Sequence, residues 1–122
     1  MIRTIVVDDA KPMRDRAITK CRDTGVIEVV GEASTAKETF ALIAELNPDL
    51  LLLDVQLLEG NGVDIARKLK AEGSPVKVIL QTSMAQAAAT GPEFIKVIKP
   101  FHAEQLRVYL YQLFGDRALR SA

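Results

Sequence analysis

The sequence predicts an α/β domain whose five-stranded parallel sheet is doubly wound, with helices on both faces. Three observations predict it. Short apolar runs alternate with stretches of helical periodicity along the whole chain. One run, residues 50–53, is four consecutive leucines with no polar alternation, the pattern of a strand covered on both faces. Glycine and proline punctuate short connections, which suits right-handed crossovers within one parallel sheet.

The elements follow in order. Residues 4–7, a short β-branched run, make the first strand and end at Asp8-Asp9. A helix follows over residues 11–23, with Met13, Ala17 and Cys21 at i, i+4 and i+8, until Gly25 stops it. Residues 27–30 are the second strand. The next helix spans 35–46, with Ala36, Phe40, Ile43 and Ala44 on one stripe; Ser34-Thr35 followed by Glu38 reads as a capping box. Asn47-Pro48 ends it, because the residue before a proline is pushed away from helical backbone.

The leucine-rich strand runs over 49–55, and Gly60-Asn61-Gly62 turns the chain into a helix at 63–71, closed by Gly73 and Pro75. Residues 76–81 form the fourth strand, ending at Thr82-Ser83. A short alanine-rich helix at 85–89 is broken by Gly91-Pro92. Residues 94–98 are the fifth strand, ending at Lys99-Pro100, and a closing helix over 102–114 turns Leu106, Leu110 and Leu113 inward.

Composition sets the limits. The 122 residues suit one domain spanning 1–122, and 48% hydrophobic with 26% charged residues is a globular mixture. Lys+Arg and Asp+Glu both number 16, so the chain lacks the positive charge that grips nucleic-acid phosphates. A single cysteine and a single histidine exclude an internal disulfide and a Cys/His zinc site. No apolar run reaches the ~20 residues that cross a bilayer, and no export signal is expected from the opening residues. The expectation is a cytoplasmic protein that meets neither membrane nor nucleic acid through this domain. Cys21 is expected in the core and His102 at a helix start.

In an open parallel sheet the ligand site lies outside the carboxyl ends of the strands. There stand Asp8 and Asp9, Asp54, Thr82 and Ser83, and Lys99. Taken singly, Asp8 or Asp9 suits a helix cap, Thr82 a β-branched strand position and Lys99 a solvated charge. Asp54 after four leucines has no packing reason, and all of them fall on one sheet edge. Clustered carboxylates repel one another unless a hard cation with oxygen ligands, such as Mg²⁺, offsets the charge. A carboxylate beside a cation and a lysine is a candidate nucleophile toward a phosphoryl group.

The combination Asp8-Asp9, Asp54, Thr82 and Lys99-Pro100-Phe101 resembles the receiver domain of two-component response regulators, the chemotaxis-type single-domain form included. The resemblance covers nearly the whole chain and implies the flavodoxin-like receiver fold. It implies that Asp54 is the phosphoacceptor. Asp9, Asp54 and the Gln56 carbonyl would hold Mg²⁺, with Asp8 acting through water. Thr82 would be the switch hydroxyl, and Lys99, before a cis Pro100, would pair with the phosphoryl group.

Implied partners are a histidine kinase or phosphotransfer protein, and a downstream target or a C-terminal output domain missing here; a phosphorylation-dependent dimer is a further option. Such a domain catalyses its own phosphotransfer and dephosphorylation and is otherwise no enzyme. Three features depart from the pattern. Leu58 stands where the family often has proline. The segment between Thr82 and Lys99 is about five residues short, so the fourth helix should be stunted. Lys96 replaces the usual aromatic switch residue. These departures keep open an alternative, a phosphorylation-independent interaction module on the same fold. An aspartyl-phosphate phosphatase of the haloacid-dehalogenase type fits poorly, since Val55-Gln56 follows Asp54 where that family needs Asp-x-Asp.

Overall fold

The computed structural model describes residues 1–119, so the last three positions of the single-domain span lie outside the described residues, as do the side chains of Leu119 and of Ala89 in the alanine run. Five strands, β1 (Ile2–Val7), β2 (Ile27–Ala33), β3 (Leu50–Asp54), β4 (Lys77–Thr82) and β5 (Ile95–Ile98), form one sheet in the order β2-β1-β3-β4-β5, every pairing parallel. Five helices connect and close it: α1 (Lys11–Asp23), α2 (Ala36–Leu46), α3 (Gly62–Ala71), α4 (Met84–Ala87) and α5 (Ala103–Phe114). The winding reverses between β1 and β3, which opens a crevice at their carboxyl ends.

The leucine run does what its pattern demands. Leu50, Leu51, Leu52 and Leu53 are each 0% exposed. Leu50 and Leu52 pack with Ile79 and Val97 against α1 and α5; Leu51 and Leu53 pack with Leu80 against α3. Each such burial contributes about 1.5–3 kcal/mol relative to exposure. On the α1 side, Ala17, Ile18 and Cys21 are buried, and Leu106 and Leu110 meet them from α5.

Local chemistry ends the elements. Thr35 caps α2 by accepting the Glu38 N–H at 3.1 Å, while the Ser34 N–H and hydroxyl donate to Glu38 Oε1 at 3.1 and 2.7 Å. Asn47 closes α2 with φ 46°. Asn61 caps α3, its Oδ1 accepting the Val63 N–H at 2.7 Å. His102 starts α5 through its backbone, whose N–H donates to Gln105 Oε1 at 2.8 Å.

At the amino ends of the strands Asp49 fastens three elements. Its N–H donates to the Arg3 carbonyl, its carbonyl accepts the Lys77 N–H, and its Oδ2 accepts from the Arg3 N–H and from Arg117, both at 2.9 Å. Arg117 lies in a 3₁₀ segment, Gly115–Leu119, that the sequence pattern did not announce. β2 also runs three residues past its expected end at Val30, because Gly31, Glu32 and Ala33 continue to pair with β1 beyond a register shift. The fourth helix is stunted, as expected: α4 has 4 residues and continues as one 3₁₀ turn, Ala88–Thr90.

Candidate phosphoacceptor site

β1 and β3 are adjacent and parallel, so Asp8, just past Val7, and Asp54, just past Leu53, emerge side by side. One carboxylate oxygen from each of Asp8, Asp9 and Asp54 lies within 4.8 Å of the others. Asp8 and Asp54 are buried, at 1% and 6% exposure, and Asp9 occupies the more open rim. These side chains and Lys99 line a cleft of about 690 Å³.

Backbone and side chains fix the two buried carboxylates. Asp8 Oδ1 accepts the Ala10 N–H at 2.9 Å, and Arg14 donates to the Asp8 carbonyl at 2.7 Å while pairing with Glu32 at 2.9 Å. Asp54 Oδ1 accepts the Gln56 N–H at 3.1 Å. Asp54 Oδ2 accepts from Lys99 Nζ at 2.6 Å, and the same ammonium lies 3.5 Å from Asp8 Oδ2. Lys99 is brought there by the end of β5, where its N–H donates to the Thr82 carbonyl at 2.9 Å; its bond to Pro100 is cis.

Burial pushes the Asp54 carboxyl above the ordinary range; the Lys99 hydrogen bond and charge pull it down without cancelling that rise, and the Asp8 charge adds to it. Burial works against the Lys99 ammonium, but the hydrogen bond and charge of Asp54, with Asp8 behind, outweigh it and hold the group above its usual value. One ammonium faces three carboxylates, so the cleft carries an excess of negative charge. Its donors are all oxygen, and that set fits a hard divalent cation such as Mg²⁺. Asp8, Asp9, Asp54 and the backbone of Gln56, which lines the same cleft, are the groups placed to hold one.

Thr82 ends β4 fully buried, with its hydroxyl donating to the Ser83 carbonyl at 3.3 Å. It does not line the cleft; its neighbour Ser83 does. Met13, Leu57, Asn61 and Gln86, which the sequence did not single out as site residues, also line the cleft. Nothing in the sequence announced Gln86, because α4 has only 4 residues and shows no periodicity. Lys96 donates to the Gly91 carbonyl at 2.7 Å, tying β5 to the loop that leads into it.

Comparison with known proteins places this geometry. The response regulator receiver domain matches residues 4–111. An uncharacterised response regulatory protein of Yersinia pestis is 31% identical over 124 residues, covering 99% of this chain and 52% of the relative. The transcriptional regulatory protein BtsR of Escherichia coli is 30% identical over 120 residues, covering 97% of this chain and 50% of that protein. The chain therefore spans about half the length of these curated relatives.

Among solved structures, the signal receiver domain of NarL from Mycobacterium tuberculosis superposes with a TM-score of 0.76 at 25% identity, over 93% of this chain and 97% of that one. The response regulator domain of Thermotoga maritima CheB gives 0.71 at 22% identity over 100% and 99%, a likeness of fold. The match over nearly all the strands and helices, joined to an acidic cleft at the β1/β3 crevice, gives one conclusion: the chain belongs to the response regulator receiver domain family.

Proposed function

We propose that this receiver domain accepts a phosphoryl group on Asp54 from a phosphohistidine of a histidine kinase or phosphotransfer protein. The observation that carries the reading is the Lys99 ammonium 2.6 Å from a buried carboxylate that shares its cleft with two more carboxylates. In the transfer, an Asp54 oxygen bonds to phosphorus, the phosphorus–nitrogen bond breaks, and the electron pair returns to the donor imidazole. Lys99 neutralises charge on the transferred group, and the Gln56 N–H holds the second Asp54 oxygen so that the first is presented. A divalent cation, Mg²⁺, held by Asp8, Asp9, Asp54 and the Gln56 carbonyl, supplies further charge stabilisation when bound. The domain acts on its own carboxylate and on no free substrate.

The output is a change in protein contacts, passed to a downstream protein or to a further domain of a longer chain, with dimerisation one form it can take. Acetyl phosphate with Mg²⁺ tests the reading by intact mass. The wild type gains one phosphoryl group and Asp54→Asn gains none; an equal adduct on the variant would refute the assignment. The second reading, an interaction module indifferent to phosphorylation, draws on the short α4 and the Lys96–Gly91 hydrogen bond in place of an aromatic switch. A wild type that takes up neither phosphoryl nor beryllofluoride would favour it.

A further inference from the structure

Resting on the phosphoacceptor reading, we propose that Gln86 positions the water that hydrolyses the Asp54 acyl phosphate, and so sets the lifetime of the phosphorylated domain. The short α4 puts it there. The chain turns immediately after β4, with the N–H groups of Gln86 and Ala87 both donating to the Ser83 carbonyl at 3.1 Å. Ser83 and Gln86, three residues apart, then stand above one another on one face, and both line the cleft that contains Asp54.

Several other groups on these walls are committed: Lys99 and the Gln56 N–H bind Asp54, and Asn61 Oδ1 caps α3. The Gln56 carboxamide is unpaired among the described residues but exposed, whereas Gln86 is half-buried. Ser83 makes no side-chain cap, and the Gln86 carboxamide has no hydrogen-bond partner among the described residues. A neutral carboxamide suits a site crowded with anions, because it offers an acceptor to a water hydrogen without adding charge. Carboxamides orient the attacking water in other phosphoryl transfers for the same reason.

In the step, the water oxygen bonds to phosphorus and the phosphorus–Oδ bond breaks. The electron pair returns to the Asp54 carboxylate, inorganic phosphate leaves, and the surplus proton passes to solvent.

The test phosphorylates wild type, Gln86→Met and Gln86→Glu with acetyl phosphate and Mg²⁺, removes the donor, and follows loss of the adduct by intact mass. Beryllofluoride affinity and the rate of adduct formation are measured alongside. The methionine variant keeps the length of the side chain and should decay about tenfold more slowly, the rate equivalent of one hydrogen bond. Its formation rate and beryllofluoride affinity should match wild type, and the glutamate variant should recover most of the loss through its retained acceptor. Gln86→Ala repeats the comparison in a good helix former. Decay of the methionine and alanine variants at the wild-type rate would overturn the proposal. So would a parallel fall in formation, affinity and decay, which marks a loosened fold. A wild type that forms no adduct overturns the phosphoacceptor reading itself, and this inference with it.

Discussion

Gly62 is where a single methyl group should do most harm. It opens α3 directly behind Asp54, and its N–H donates to the Val55 carbonyl at 2.8 Å. A Cβ at this position would stand 2.1 Å from the Asp54 carbonyl oxygen, 2.9 Å from its carbon and 3.1 Å from Val55 Cα. All three atoms are backbone at the end of the most buried strand, so none can swing aside. The nearest contact must open by about 1 Å before it reaches even a crowded van der Waals distance. Overpacking of this kind costs about 1–3 kcal/mol, against which alanine recovers roughly 0.5–1 kcal/mol over glycine in a helix. The balance for Gly62→Ala is a loss of about 1–2 kcal/mol, or ~4–8 °C in melting temperature for a domain of this size.

The displacement falls on Asp54, the proposed phosphoacceptor. A shift of about 1 Å in a reacting group can cost ~10²-fold in rate. Gly62→Ala should therefore slow adduct formation from acetyl phosphate as well as lower the melting temperature. Gly73→Ala is the control: its φ of +71° makes alanine strained, but nothing lies within 4 Å of the added Cβ. It should cost about 1–2 kcal/mol of backbone strain and leave phosphorylation untouched. A Gly62→Ala protein that melts within about 1 °C of wild type and phosphorylates normally would refute the close approach.

Three further outcomes are expected. Asp49 is held below the usual carboxylate range; burial raises it, but the Arg3 N–H and then the Arg117 hydrogen bond and charge outweigh that. A depressed folded pKa stabilises above the unfolded value of about 3.9 and is lost as pH falls through the folded one. The urea stability gap between wild type and Asp49→Asn should thus be full above about pH 5 and close as pH falls below ~4; a pH-independent gap would exclude the linkage. The Cys21 thiol is fully buried and pushed up to about 12 by burial, Arg22 offsetting little, so a disulfide reagent at mild alkaline pH should label it only in denaturant. Equal labelling rates in native buffer would contradict its burial. Gln81 Nε2 is buried without a hydrogen-bond partner among the described residues, so Gln81→Met should be neutral or stabilise by up to about 1–2 kcal/mol in urea melts, whereas a clear loss would mean the amide has a partner.

What was legible in the sequence follows the range of the forces involved. The run of leucines and the capping residues of α2 act locally, so β3 and α2 could be read within a residue or two. The acidic cleft was legible because strand ends in a parallel sheet converge by topology, whatever the side chains do; Asp8, Asp9, Asp54 and Lys99 meet as read. The extra length of β2 depends on pairing with β1 across a register shift, and the 3₁₀ segment Gly115–Leu119 is held by a contact from Arg117 to Asp49. Neither leaves a periodic trace. The cleft face of α4 was missed because a helix of 4 residues is too short for periodicity to declare which side chains it turns inward.

A strand greasy on both sides carries no internal ruler. Sliding β3 by one residue would exchange one leucine for another in either layer, so the hydrophobic effect that buries the segment is nearly indifferent to its alignment. Only the two ends can tell. At one end Asp49 interlocks with Arg3, Lys77 and Arg117; at the other, Asp54 meets Lys99. A slipped alignment would drag one aspartate into the interior and pull both from their partners. The charged brackets therefore act as the alignment marks of the sheet, and the residue read as the phosphoacceptor also helps to fix where its own strand stops.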